Sequence, residues 1–269
     1  TRKKEGSWVN KRFLILDGLN LIRRLYAALD KEPDPARRVE RTQAASIDAL
    51  ARLTSQFEPD YALVVFDGAG QTWRHRLYPE YKLGRVPMDD ALFDALPDFA
   101  KLFRFNGVQA LRLEEWEADD LIATLAVKAA SQGIKCFIVS TDKGFTQLLE
   151  QPLILQYDYF ARQGYDAEWV EGKYGVSAEQ LTDYWALVGD TTNRIPGIMG
   201  IGPKTAAGLL QQAANIEDIY QNLDRVPEKT RKKLEGKIDD CFQSRLLVTL
   251  KRDVEVGIRL SQLRYACGG

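Results

Sequence analysis

Short, uninterrupted apolar runs alternate with amphipathic stretches through the first 155 residues, and few folds accommodate that rhythm. Residues 13–16 (Phe-Leu-Ile-Leu), 61–66 (Tyr-Ala-Leu-Val-Val-Phe) and 136–139 (Cys-Phe-Ile-Val) are the clearest runs, with weaker ones at 108–111 and 153–155. Runs of this length suit parallel strands buried on both faces. Helical patterns occupy 19–29, 44–57, 89–105 and 118–130, and Asn106-Gly107 and Gln132-Gly133 are suitable helix stops. Strand–helix alternation predicts an α/β fold, a parallel sheet with helices on both faces, over residues 11–165. From about Asp166 the strand signals vanish. Ser177 with Gln180 makes a capping box before a helix at 178–188, Pro203 opens another at 204–213, and further segments follow at 216–223 and 229–247. Residues 166–265 thus read as a smaller helical half.

The inventory of reactive side chains narrows the chemistry. The chain has one histidine, His75, so a zinc site of the Cys/His type has almost no ligands to draw on. A Ser-His-Asp triad would need His75, and no nucleophile-elbow pattern accompanies it. Cys136, Cys241 and Cys267 are far apart and odd in number, which argues against a disulfide framework and fits a reducing cytoplasm. No stretch approaches the roughly 20 apolar residues that span a bilayer, and no charged-then-apolar leader opens the sequence. The first ten residues are polar, begin without Met, and are left out of the fold reasoning. The net charge of −1 decides nothing about a polyanionic partner, since acids and bases balance in number. Any chemistry must come from carboxylates, Lys, Arg and Tyr.

Carboxylates fall where a parallel sheet places its ligand site. Asp17 follows the first predicted strand, Asp67 the second, and Asp142 comes just after the run ending at Val139. Ligands of open parallel sheets bind at the carboxyl ends of the strands. Glu117, Asp119 and Asp120 open the helix that follows the weaker third strand, at the same edge, with Glu117 and Asp120 sharing a helix face by their three-residue spacing. Singly, each is an ordinary turn residue, helix cap or dipole partner. Agreement among several strand ends favours a cluster. Hard oxygen ligands without His or Cys point to Mg²⁺ or Mn²⁺, and paired ions on such a cluster can activate water and stabilise a leaving oxygen in phosphodiester cleavage.

Two further segments could hold a nucleic acid. Residues 73–88 interleave Arg74, Arg76, Lys82 and Arg85 with Trp73, Tyr78 and Tyr81, a composition that stacks bases and holds phosphates, although a solvated loop is the commoner fate of such a stretch. Residues 197–205 (Gly-Ile-Met-Gly-Ile-Gly-Pro-Lys-Thr) form a glycine-rich hairpin before a helix, whose N–H groups and N-terminus suit a phosphate. A plain interhelical turn is the bland alternative. It is not a P-loop, since its Gly and Lys spacing differs and no buried strand precedes it.

In order, Leu16-Asp17-Gly18, Phe66-Asp67, Tyr81-Lys82 with Arg85, Glu117-Ala118-Asp119-Asp120, Ser140-Thr141-Asp142-Lys143 and Gly200-Ile201-Gly202-Pro203-Lys204-Thr205 resemble the 5′-nuclease (flap endonuclease) family. That family includes stand-alone bacterial enzymes and the 5′-nuclease domain of bacterial DNA polymerase I. The match runs from Phe13 onward. The resemblance implies a PIN-like α/β domain plus a helix-three-turn-helix DNA clamp, and cleavage of DNA 5′ flaps or ends with a divalent metal. It implies a helical arch at about 74–105, with Arg74, Lys82 and Arg85 along it and Lys82 and Arg85 against the scissile phosphate. It places Arg24 on a phosphate near the site and residues Gly200, Ile201, Gly202, Pro203, Lys204 and Thr205 on the DNA backbone. It assigns the metal to Asp17, Asp67, Glu117, Asp119 and Asp120, with Asp119 essential to catalysis, and a second ion to Asp142 and Asp190. It implies K⁺ on the main-chain carbonyls of Leu187, Val188, Pro196, Ile198 and Ile201.

Departures from the family pattern weaken the second metal position. Gly144 stands where a further Asp is usual, and residues 189–196 read Gly-Asp-Thr-Thr-Asn-Arg-Ile-Pro, with Asn193 in place of a second Asp and Arg194 beside it. One well-held Mg²⁺ (or Mn²⁺) and a weak second ion are expected. The expected partner is DNA with 5′ flaps, overhangs or branches, bound by a cytoplasmic bacterial monomer without an organic cofactor. The main rival is a catalytically weak or inactive DNA-binding paralogue. A PIN-type ribonuclease fits the acids but not the hairpin, and a phosphatase of the Asp-x-Asp type is disfavoured by Gly18-Leu19.

Overall fold

The computed structural model describes residues 10–266, so residues 1–9 and Cys267 lie outside the described residues. Six strands form one sheet: β1 (Arg12–Asp17), β2 (Tyr61–Phe66), β3 (Gln109–Arg112), β4 (Lys135–Val139), β5 (Ile154–Asp158) and β6 (Gln163–Tyr165). Their order is β3-β2-β1-β4-β5-β6, parallel throughout except for the antiparallel edge strand β6. The chain order along the sheet reverses at β1, between β2 and β4, so the crevice for a ligand opens beside the end of β1.

The helices are α1 (Gly18–Ala27), α2 (Pro35–Phe57), α3 (Trp73–Leu77), α4 (Asp90–Phe105), α5 (Ala118–Ala130), α6 (Ala167–Tyr174), α7 (Leu181–Val188), α8 (Pro203–Leu210), α9 (Ile216–Gln221), α10 (Glu228–Leu234) and α11 (Ile238–Val248). Successive strand residues point to opposite faces. Leu14 and Leu16 of β1 therefore pack with α1, α2 and α4, while Phe13 and Ile15 pack with α5. The α5-side cluster continues without a break into Leu181, Leu187 and Leu210 of the helical half. Among the described residues no helix is long and apolar enough to cross a membrane.

Several boundaries differ from the sequence pattern for local reasons. Helix α2 begins at Pro35 rather than residue 44: the Asp34 side chain caps the Ala36 N–H, Pro35 sits at the tolerated first position, and the polar first turns carry no apolar period. Helix α6 was not anticipated; Asp166 caps it and Gly175 ends it in the left-handed conformation. The single helix expected at 229–247 is two, because Gly236 takes φ +70° between α10 and α11. The stretch expected to form an arch, about 74–105, holds two helices, α3 and α4, with a connection between them. Leu92, Phe99 and Phe103 of α4 are buried against the sheet, and of the residues between α3 and α4, Lys82, Arg85 and Val86 line the cleft.

The connection between α7 and α8 rests on a close backbone approach. A Cβ at Gly197 would lie 2.3 Å from the Val188 carbonyl carbon and 2.5 Å from the Gly189 nitrogen. Main chain cannot yield as a flexible side chain can, so Gly197→Ala is expected to destabilise the protein by about 3 kcal/mol or more. Thermal unfolding checks this, and a melting temperature within a degree of wild type would refute the close approach.

Candidate active site

Four carboxylates converge at the strand ends, each held by a different local device. Asp17 is the last residue of β1; one oxygen caps α1 at the Asn20 N–H (3.2 Å) and the other accepts from Ser140 Oγ (2.8 Å). Asp67, just past β2, accepts from the Ala118 N–H (2.8 Å), which docks the start of α5 on the strand end. Asp119 lies in the first turn of α5. Asp142 caps the 3₁₀ turn Lys143–Leu148 through the Gly144 N–H (2.7 Å), and its own N–H donates to Ser140 Oγ (3.1 Å). The Ser140 hydroxyl thus orients acids from two adjacent strands. These acids line a cleft of about 400 Å³ together with Arg24, Lys82 and Arg85.

Electrostatics mark the cluster as uncompensated. Burial, then the charges of Asp67 and Asp142, push Asp17 up to about 7 against the opposing bonds from Ser140 and Asn20. Burial, then Asp142 and Asp17, hold Asp119 well above the usual carboxylate range. A dication relieves this repulsion, and an all-oxygen donor set suits Mg²⁺ or Mn²⁺. Among the described residues no three acidic, Cys or His side chains already meet at ligating distance.

Two expected assignments are corrected here. Asp120 does not face the cleft. It is fully buried, and its oxygens accept from Arg74 Nη1 and Nη2 (2.8 Å each), Trp73 Nε1 (2.9 Å) and the Lys251 N–H (2.8 Å). No lone pair is left directed at an ion. Arg74, expected along the arch against DNA, is only 2% exposed. Its remaining N–H groups reach Glu117 Oε2 and the carbonyls of Leu247 (2.8 Å) and Thr249 (3.0 Å). It is an internal anchor with nothing to offer a phosphate.

Glu117 stands between the anchor and the cleft. Its Oε2 takes Arg74, its Oε1 takes Lys82 Nζ, and the Tyr81 hydroxyl reaches both (3.2 and 3.3 Å). Burial works against this carboxylate, but Lys82 and Arg74 outweigh it and hold Glu117 below its usual range. Burial likewise opposes the Lys82 ammonium, and Glu117 reverses the sign, so Lys82 stays charged. Arg85 and Arg24 are exposed at the rim; Arg85 Nη2 bonds Asn193 Oδ1 (2.8 Å), and Arg24 lies over the Phe160 ring (4.8 Å). Tyr81, expected to stack on bases, is only 4% exposed and holds Glu117 instead, and the orienting role of Ser140 has no signal in the sequence beyond its place in the motif at 140–143.

The glycine segment forms a hairpin between α7 and α8, with Met199 and Lys204 exposed and Lys233 Nζ donating to the Gly200 carbonyl (2.7 Å). Of the five carbonyls expected around K⁺, that of Leu187 accepts from Ile198 N–H (2.8 Å), that of Pro196 from Ser244 Oγ (2.6 Å), and that of Ile198 from Ile201 N–H (2.9 Å). Each keeps a second lone pair. Asp190 closes its own turn, accepting from the N–H groups of Thr192 (3.0 Å) and Asn193 (3.3 Å) and from Asn193 Nδ2 (2.6 Å).

Comparison with known proteins gives a consistent answer. The 5′-3′ exonuclease N-terminal resolvase-like domain matches residues 12–175, and the 5′-3′ exonuclease C-terminal SAM fold matches residues 176–267. Flap endonuclease Xni of Pectobacterium carotovorum is 46% identical over 253 residues, covering 93% of this chain and 94% of that protein. Flap endonuclease Xni of Psychromonas ingrahamii is 42% identical over 253 residues, covering 94% and 96%. The bacteriophage T5 flap endonuclease, solved with DNA and metal ions, shares the fold with a TM-score of 0.71 at 23% identity, over 88% of this chain and 89% of that one.

The raised Asp17 pKa has a sign in stability. Its folded value, about 7, exceeds the usual 3.8, so its contribution is fully present below 3.8, declines as pH rises toward 7 and is gone above it. In EDTA the melting temperature is expected to fall between about pH 4 and 7, and Asp17→Asn should flatten that fall and raise stability at pH 8. Mg²⁺ should restore the wild type at pH 8 but help the variant less. Parallel pH curves for wild type and variant in EDTA would contradict the charge cluster.

Proposed function

The chain belongs to the 5′-3′ exonuclease family, and from that premise we propose that it is a structure-selective 5′-flap endonuclease that hydrolyses DNA phosphodiesters with Mg²⁺. The observation that carries the reading is the uncompensated acid cluster at the sheet edge, with the cations Lys82, Arg85 and Arg24 around it and a glycine hairpin beyond. Asp17, Asp67 and Asp119 would hold the ion, with Glu117 in reach through Oε1 once Lys82 turns away from it. The ion, when bound, supplies Lewis acidity toward a phosphate oxygen and lowers the pKa of water. The protein's own groups do the rest. Lys82 and Arg85 place positive charge where the pentavalent phosphate becomes more negative. Ser140 and the Ala118 N–H fix the directions of Asp17 and Asp67, so no reorganisation is needed as charge develops.

On the duplex side, Lys204 and the N–H groups of the hairpin would grip backbone phosphates without reading sequence. A K⁺ ion on the free lone pairs of the Leu187, Val188, Pro196, Ile198 and Ile201 carbonyls would add a positive charge at the same place. Asp142 and Asp190 would form a weak second divalent position, since Asp190 already accepts three N–H bonds and Gly144 adds no carboxylate. The chain would act as a monomer in the bacterial cytoplasm, where its substrate lies.

Asp119→Asn is expected to lower cleavage of a labelled 5′-flap substrate by about a hundredfold or more while leaving DNA affinity nearly unchanged. If wild type and variant cut equally poorly and bind equally well, the protein is a DNA-binding paralogue rather than a nuclease. Lys204→Ala should weaken duplex binding and reduce the log–log salt slope by about one. An unchanged slope would remove Lys204 from the phosphate grip.

A further inference from the structure

We infer that Asn193 is a positioning residue that ties the duplex-gripping hairpin to the cations of the cleft, an inference that rests on the flap-nuclease reading above. Residues 190–195 form a small closed loop, pinned by paired main-chain bonds between Asp190 and Ile195 (2.9 Å each). Asn193 uses every polar group it has across this loop. Its main-chain carbonyl accepts the Lys82 N–H (3.0 Å), its Oδ1 accepts Arg85 Nη2 (2.8 Å), and its Nδ2 donates to Asp190 Oδ2 (2.6 Å). The two ends of one amide thus face a guanidinium and a carboxylate in the roles each requires. An Asp here would set two carboxylates together, and an Ala would leave both partners unbridged.

The surrounding contact is built to be rigid. Arg194 lies over Gly84, where a Cβ would come within 3.3 Å of its guanidinium. Tyr81, Ile195 and Leu247 pack as a small apolar cluster beneath. Lys82 and Arg194, one on each side, are non-glycine residues at φ +55° and +56°, conformations that persist only where the surroundings impose them. The Asn193 bond is the one side-chain hydrogen bond that Arg85 makes among the described residues. Directly after this loop the chain enters the hairpin through Pro196 and Gly197. Duplex DNA on the hairpin is therefore coupled through Asn193 to where Lys82 and Arg85 stand, and a correctly docked duplex sets the cations for the scissile phosphate.

A double-mutant cycle tests the coupling. Asn193→Ala should slow single-turnover flap cleavage by about tenfold, the worth of one hydrogen bond to a charged group. Blunt-duplex affinity should stay within about twofold of wild type, and Asn193→Ala in an Arg85→Ala background should cost nothing more. The same cycle read as affinity for a 5′-overhang strand in EDTA needs no cleavage, so it stands even if the nuclease reading fails; it should show the same loss of additivity. Independent, multiplicative effects of the two substitutions in both readouts, or a wild-type rate for Asn193→Ala, would overturn the inference. Loss of duplex affinity matching the loss of rate would do so too, since it would make Asn193 a purely structural turn residue.

Discussion

One buried guanidinium organises the site. All five N–H donors of Arg74 are used: on Glu117, twice on Asp120, and on the carbonyls of Leu247 and Thr249. Those partners belong to the start of α5 and the end of α11, and Arg74 itself to α3, just before the connection that carries Lys82 and Arg85 to the cleft. Three parts distant in sequence therefore meet on one ion. A buried charge left without its partner costs about 3–5 kcal/mol, so each of these parts enforces the positions of the others. Glu117 is the member through which the anchor touches the chemistry, because its other oxygen is the one that Lys82 holds.

Asp119 and Asp120 show how fully local geometry decides a role. Adjacent in sequence, they lie about 100° apart around α5. Asp120 turns inward and accepts four N–H bonds; Asp119 turns to the cleft, where other carboxylates are its main company. Two acids side by side in one motif thus serve opposite ends. One stabilises the fold with its charge matched, and the ionised form of the other meets repulsion that a proton or a cation removes.

Much of this was legible in the sequence, and the parts that were not have a common cause. Continuous apolar runs gave β1, β2 and β4 because burial on both faces leaves no other pattern. The capping box at Ser177 and Gln180 marked the turn that leads into α7 because capping is local chemistry. The three-residue spacing of Glu117 and Asp120 correctly put them on one helix face, yet their shared partner is Arg74, more than forty residues earlier, and spacing says nothing of what a face will meet. Arg74 looked like a DNA ligand because a basic residue among aromatics normally stays in solvent. Its burial depends on two carboxylates and two carbonyls that only the folded chain assembles. Strand β6 escaped notice because Gln163-Gly164-Tyr165 is too short and polar to show alternation, and α2 began early because a cap and a proline, not apolar periodicity, start it.

The same accounting of partners separates the acids of the cleft. Asp190 is satisfied by three N–H donors of its own turn, whereas the Asp142 carboxylate accepts one, from Gly144, and its charge weighs on Asp119. The folded protein disfavours the ionised forms of Asp17 and Asp119. A cation gains most where the existing negative charge is least compensated, and this favours the acids at the ends of β1 and α5 over the α7–α8 loop for the first ion proposed above. Asn193 and Arg194 move that loop further from metal binding by adding a neutral amide and a positive charge. What the loop loses as an ion site it retains as a mechanical link, since the amide that replaces a carboxylate there is the group that holds Arg85.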